Sequence, residues 1–357
     1  MRNVLEIDLD HILDSTRALW AQMRGERLFL TGGTGFFGCW LMESFLWANQ
    51  RLNLNAKVTV LTRNPQLFIS SKPHLALADA VTLINGDVRS FEFPKGEFSH
   101  ILHAATESNA KINAENPLEC LDTIISGTRH VLDFASQCKA KEFLLISSGA
   151  IYGKQPDYLT HLAEEYSGAP NPLEISTSYA QGKRTAEHLC CLYSSKSQTR
   201  IKIARCFAFV GPYLPLDWHF AIGNFIRDGL RGGPIVINGD GTPRRSYLYA
   251  ADLATFLWTI LFKGQSLRPY NVGSDHSFSI LEVAEMVSQR MPSPVGIEIH
   301  GKSLPNKALE QYIPDISRIK HELGVQPSLA LEEAISRTVR FAQHKNGANS
   351  LQFLNSN

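Results

Sequence analysis

The chain has 357 residues, 44% of them hydrophobic and 19% charged, and a formal net charge of +1. These values exclude a disordered or fibrous chain and allow one large domain, or two that share a boundary. Basic residues are not gathered into runs, so no electrostatic footprint for nucleic acid or an anionic membrane exists, and a small or nucleotide-sized ligand is the expected partner.

The first residues, MRNVLEIDLDHILDSTRALWAQMRGERLF, lack the charged start, apolar run and cleavage site of a signal peptide, which makes the cytoplasm the expected location. Residues Leu5 to Met23 carry apolar side chains at helical spacing and predict an amphipathic helix covering a sheet edge. Short apolar runs and helical stretches then alternate. Strands are expected at Arg27-Leu30, Lys57-Leu61, Val81-Ile84, His100-His103, Phe143-Ser147 and Lys202-Arg205, and helices at Phe36-Asn49, Cys120-Cys138 and Tyr179-Ser194. This order predicts an α/β fold of the Rossmann type, a doubly wound parallel sheet with crossover helices.

Beyond residue 206 the pattern becomes irregular and rich in Gly and Pro, as expected of a smaller mixed α/β substrate-binding region. The expected organisation is a helical extension over 1–24, a mainly nucleotide-binding region over 25–205, a mainly substrate-binding region interleaved with it over 206–343, and a loosely held tail over 344–357. The most apolar segment, Leu248 to Phe262, is interrupted by Asp252 and is shorter than a membrane span of about 20 residues; it predicts a buried helix. The six cysteines show no metal-ligand spacing, so no metal is expected.

After the first strand comes Gly32-Gly33-Thr34-Gly35-Phe36-Phe37-Gly38 and then an apolar helix. Glycines at such a turn let the backbone approach a pyrophosphate, while free N–H groups at the helix start face the anion. The second strand ends Leu61-Thr62-Arg63-Asn64, with no carboxylate to bond a ribose 2′-hydroxyl and with Arg63 available to a 2′-phosphate. The cofactor expected is therefore NAD(P), leaning to NADP. Asp87, in Gly86-Asp87-Val88 after the third strand, is placed to meet the adenine amino group.

Tyr179 and Lys183, in Tyr179-Ala180-Gln181-Gly182-Lys183, share one helix face. An ammonium beside a phenol lowers its pKa and makes the phenolate available as a general base. Upstream, the apolar strand Phe143-Leu144-Leu145-Ile146 runs out in Ser147-Ser148, and ligands of open α/β sheets sit beyond such carboxyl ends.

The glycine loop, Ser147-Ser148-Gly149-Ala150-Ile151-Tyr152-Gly153 and Tyr179-Ala180-Gln181-Gly182-Lys183, in this order, resemble the extended short-chain dehydrogenase/reductases, the NAD-dependent epimerase/dehydratase family, over about Arg27 to Leu331. The resemblance implies Tyr179 as base, Lys183 as its partner and ribose ligand, and Ser148 rather than Ser147 as the hydroxyl that fixes the substrate. It implies a cofactor site from Gly32, Gly35, Phe36, Phe37 and Gly38, with Arg63, Asp87, Val88, Ala104 and Ala105 along the later strand ends. Glu107, Asn224 and Arg245 join Ser148 on the nucleotide-sugar side, Arg245 as the pyrophosphate ligand.

The resemblance also implies a homodimer through the two long helices. Leu121, Ile124, Ile125, Val131, Leu132, Leu189, Cys190 and Leu192 would supply that interface or pack inside one subunit.

Departures from the family pattern bear on the reaction. Related dehydratases carry Asp and Glu after the catalytic hydroxyl residue and decarboxylases a Glu, where this chain has Gly149 and Ala150. Ile124 and Ala208 replace family asparagines, and the late Arg-x-Gly-Asp element is absent, leaving Lys302 or Lys307 as substitutes. The function expected is epimerisation or keto reduction at C4 (or C3) of a nucleotide-activated hexose. A 4,6-dehydratase using Glu107 is the alternative enzyme, and a non-catalytic dinucleotide sensor the alternative of another class.

Overall fold

The computed structural model describes residues 3–106, 110–302 and 309–354. Glu107 and Lys307 lie outside them. Six strands follow the expected alternation: β1 (Arg27–Thr31), β2 (Lys57–Thr62), β3 (Val81–Asn85), β4 (His100–His103), β5 (Glu142–Ser148) and β6 (Arg200–Cys206). A seventh, Pro269–Val272, comes from the later region and pairs in parallel with β6. The order across the sheet is Pro269–Val272, β6, β5, β4, β1, β2, β3, and every pairing is parallel. The chain runs outward from β1 to β3, then crosses to the other side of β1 to lay down β4. That reversal opens a crevice at the carboxyl ends of β1 and β4.

Alternation along the strands splits the interior into two cores. Leu28, Leu30, Leu144 and Ile146 point into one; Phe29, Phe143 and Leu145 point into the other. The first core is closed by the helices Phe36–Arg51 and Ala250–Lys263, whose Trp40 and Trp258 are fully buried, their indole N–H groups bonded to the Pro212 carbonyl and to Ser44. The helix at Ala250–Lys263 is buried along its length except at Lys263, as the sequence predicts. The second core is closed by the helices Pro117–Gln137 and Ser178–Ser194, which pack closely where Ile124 meets Gly182. Ile124, Val131, Leu132 and Cys190 therefore belong to the interior of the subunit rather than to an outer face. Leu192 is exposed, and Leu121, Ile125 and Leu189 are half-buried.

The N-terminal segment differs from expectation. It forms an α-helix over Glu6–Thr16 and a 3-10 helix over Arg17–Met23, and it packs on the helices Phe36–Arg51 and Ala250–Lys263 instead of a sheet edge. Its apolar side, from Leu5 to Trp20 and Met23, has a large aromatic surface to cover there, where Trp20 lies 4.6 Å from Trp258. Buried Asp8 accepts from the Tyr249 hydroxyl at 2.6 Å and pairs with Arg337, tying the start of the chain to its last helix. That helix, Leu331–Leu354, carries the backbone through the segment after residue 344 that composition leaves loosely held.

Candidate active site

At the end of β1 the chain turns through Gly32 at φ +73°, a region open to glycine. A Cβ on Gly32 would stand 2.6 Å from the Ala104 carbonyl, and one on Gly38 would fall on the backbone of Gly32 and Gly33. Gly35 then starts the helix Phe36–Arg51, whose first residues line the cavity and whose first N–H groups have no side-chain cap at Gly35. A backbone cradle that excludes any side chain, at the end of a 16-residue helix, fits a pyrophosphate.

The cradle opens on one cavity of about 1060 Å³. Gly32, Gly35, Phe36, Phe37, Arg63, Asp87, Val88, Ala104 and Ala105 all line it, as do Ser148, Tyr179 and Lys183. Gly38 lies beneath, as a packing position. Arg63 is joined by Lys72 and Ser71, which sequence reasoning had not singled out, and no acidic side chain stands at the end of β2. Asp87, expected to face the adenine, has its carboxylate held by Arg89 at 2.8 and 3.0 Å, and this guanidinium keeps its pKa below the usual carboxylate range.

Past the cradle come the groups able to move protons. Ser147 and Ser148 point to opposite sides of the strand. Ser147 donates to Glu187 at 2.5 Å, within a network that includes Arg205, the Tyr152 hydroxyl and Asn271. Ser148 faces the cavity and accepts from the Ala150 N–H at 3.1 Å, and its hydroxyl acts to lower the pKa of the Tyr179 phenol. Lys183 donates to Thr106 Oγ1 at 2.8 Å and to the Ile146 carbonyl at 2.7 Å, and its ammonium lies 5.8 Å from the centre of the Tyr179 ring. Thr106 is a partner that spacing could not reveal.

Electrostatics here depart from the simplest reading of the Tyr and Lys pair. Burial pushes Tyr179 up to about 12, opposed chiefly by Ser148, and burial pushes Lys183 down to about 8. Desolvation outweighs the attraction of the pair because the ammonium is bonded to Thr106 and a carbonyl rather than to the phenol. Below, buried His103 bridges Thr31 Oγ1 at 2.8 Å and Thr128 Oγ1 at 3.1 Å, and burial holds it neutral down to about 3.

The far end of the cavity is lined by Phe207, Ala208, Leu214, Pro215, Trp218, His219 and Phe220. Asn224 and Arg245 do not line it. Asn224 accepts from Arg227 at 3.0 Å, and the Arg245 guanidinium pairs with Glu310. Lys302 is exposed. No helix among the described residues is long and apolar enough to cross a membrane, and no metal-binding cluster occurs among them.

Parallel sheet, glycine cradle and the Ser, Tyr and Lys groups at one crevice define a dinucleotide-dependent enzyme. The chain belongs to the NAD dependent epimerase/dehydratase family, whose model matches residues 28–273. It is 31% identical over 316 residues to UDP-glucuronic acid decarboxylase 1 of Arabidopsis thaliana, covering 88% of this chain and 69% of that protein. UDP-glucuronic acid decarboxylase 6 of the same plant is 31% identical over 313 residues, 87% of this chain and 86% of the relative. Among solved structures, dTDP-glucose 4,6-dehydratase DesIV from Streptomyces venezuelae, with NAD bound, superposes with a TM-score of 0.75 at 22% identity over 90% of this chain and 98% of that one. UDP-glucuronic acid 4-epimerase from Bacillus cereus, in complex with UDP-glucuronic acid and NAD, gives 0.74 at 22% over 89% and 99%.

Proposed function

We propose that this enzyme oxidises and re-reduces C4 (or C3) of a nucleotide-activated hexose, as an epimerase or a ketoreductase, and leaves C5 and C6 intact. The observation that carries this is the pair Gly149 and Ala150 directly after Ser148. Neither can transfer a proton, and a Cβ on Gly149 would press on the Tyr312 hydroxyl at 2.6 Å and the Phe207 ring at 2.7 Å. Elimination of water or loss of a carboxylate needs an acid or base beyond C4.

In this reading Tyr179 accepts the proton of the reacting hydroxyl, Ser148 bonds the same oxygen, and Lys183 fixes the ribose and keeps positive charge close by. Bound NAD(P) supplies the hydride acceptor. Gly32, Gly35 and the start of the helix Phe36–Arg51 hold the pyrophosphate, with Phe36, Phe37, Val88, Ala104 and Ala105 as walls. NADP is the preferred form, supported by Arg63 and Lys72 at the ribose end and by the lack of a carboxylate there. The names of the relatives make UDP-sugars the first substrates to try. Asn224 and Arg245 serve the substrate pyrophosphate, which would displace Glu310 from Arg245. The chain works as a cytoplasmic homodimer through the outer sides of the helices Pro117–Gln137 and Ser178–Ser194, supported by exposed Leu192 and half-buried Leu121 and Ile125 on them.

Decarboxylation, the activity in the relatives' names, is the second reading. Incubation of the protein and NAD(P) with UDP-glucose and with UDP-glucuronic acid, followed by NMR of the products, decides between them. An epimer, or a reduced sugar formed with one NAD(P)H consumed, is expected. A pentose from UDP-glucuronic acid, or a 4-keto-6-deoxy sugar, would overturn the proposal.

A further inference from the structure

A cluster of charges that the reaction at the sugar does not use stands after β3. Asp87 lines the cavity from the turn that follows this strand, and Glu119 lines it from the first turn of the helix Pro117–Gln137. Arg89, which does not line it, joins the two. Its guanidinium donates from Nε to Asp87 Oδ1 at 2.8 Å and from Nη2 to Asp87 Oδ2 at 3.0 Å, and its backbone N–H reaches the same Oδ1 at 2.9 Å. The remaining nitrogen, Nη1, lies 2.8 Å from the Glu119 carboxylate and 3.1 Å from that of Asp122 on the same helix. One planar fork therefore holds both oxygens of Asp87 and is itself anchored to a second element, so the carboxylate cannot turn without breaking bonds on each oxygen.

An ionised carboxylate offers about four acceptor positions on its two oxygens. Arg89 holds Asp87 below the usual carboxylate range, so at neutral pH it has no proton to donate. Among the described residues, Oδ1 receives two N–H groups and Oδ2 one, which leaves an acceptor position on Oδ2. An acceptor that can neither turn nor donate binds an N–H group and repels a carbonyl oxygen. We propose that Arg89 is a positioning residue for the base of the cofactor: it fixes the Asp87 carboxylate so that Oδ2 takes the 6-amino group of adenine, and so makes the cavity select adenine over a 6-oxopurine. A guanidinium that only closed the turn from Asp87 to Arg89 would confer no such selection.

The inference rests on a dinucleotide filling the cavity, not on the reaction at the sugar, and binding alone tests it. Dissociation constants are measured by titration calorimetry for NAD and NADP and for their hypoxanthine counterparts, which carry an oxo group in place of the amine. The unmodified protein is expected to bind the adenine forms about 10-fold more tightly, the worth of one charge-assisted hydrogen bond. Arg89→Met is expected to bring that ratio below about 3, chiefly by weakening the adenine forms, because a free carboxylate must be ordered by the ligand itself. Arg89→Lys keeps the charge but not the fork, and is expected to lower the ratio nearly as far. A purely structural role weakens both forms by the same factor; that result overturns the proposal, as does an unchanged ratio in the variants or a ratio near one in the unmodified protein. If Arg89→Met does not fold, Arg89→Lys must lower the ratio in its place, or the proposal fails. A pentose or a 4-keto-6-deoxy sugar among the products would overturn the reaction proposed above and leave these ratios where they are.

Discussion

At the cofactor end of the cavity the backbone decides what can be there. Gly32 and Gly38 face carbonyl and Cα atoms, so nothing can move aside for a side chain, and the cradle comes from seven consecutive residues and the strand beside them. At the other end side chains decide. Ser148 comes from β5 and Phe207 and Trp218 from the later region, and what crowds Gly149 is the tip of two rings, those of Phe207 and Tyr312. The first end is therefore rigid and locally encoded, while the second can yield and is encoded across the whole chain.

Substitution at the two glycines should break or sharpen that contrast most strongly. Gly38→Ala is expected to lower stability by roughly 3 kcal/mol, as overpacking against backbone does, and to abolish cofactor binding. Thermal unfolding with and without NAD(P) measures both, and an unchanged Tm would show that the cradle yields after all. Next is Tyr179→Phe, expected to keep cofactor affinity and to lose about 10² or more in turnover, the worth of a positioned general base. Near-normal kcat would take the phenol out of the chemistry.

The two buried histidines of β4 give a pH prediction. His103 and His100 are held neutral in the fold down to about 3 and about 4, each chiefly by burial. The unfolded chain binds these protons below about pH 6.5, so folding stability is fully present above that value and is lost as pH falls toward the folded values. Each group should remove about 2 kcal/mol at pH 5, at about 1.4 kcal/mol per unit. Urea titrations from pH 7 to 5 should show the loss, and His103→Gln should show a smaller one; parallel slopes would place the acid sensitivity elsewhere.

Smaller effects separate the ribose from the reacting sugar. Arg63→Ala should reduce the preference for NADP over NAD by roughly 10-fold, about 1.4 kcal/mol for one exposed charge-assisted bond. Equal affinity ratios in the two proteins would leave Lys72 as the phosphate ligand to examine. Smallest in stability is Gly149→Ala, expected to change unfolding free energy by only about 1 kcal/mol because the ring tips can shift. A loss as large as that of Gly38→Ala would erase the difference between the two ends.

The sequence by itself determined what depends on neighbours in the chain. Apolar strands of period two, helices of period 3.6, the glycine turn and the Tyr179 to Lys183 spacing are local properties, and they sufficed for the alternation of six strands with crossover helices, the crevice and the family, though not for the seventh strand, Pro269–Val272. The N-terminal helix was legible as a helix, but its destination was not, because an apolar face does not say which aromatic surface it will meet. Thr106 as the lysine's partner, Lys72 beside Arg63, and Tyr312 against Gly149 were decided only when strands distant in sequence were laid side by side. So was the upward shift of Tyr179: a pKa follows desolvation and the bonds of the neighbouring ammonium, and both are properties of the packed cavity rather than of the four-residue spacing.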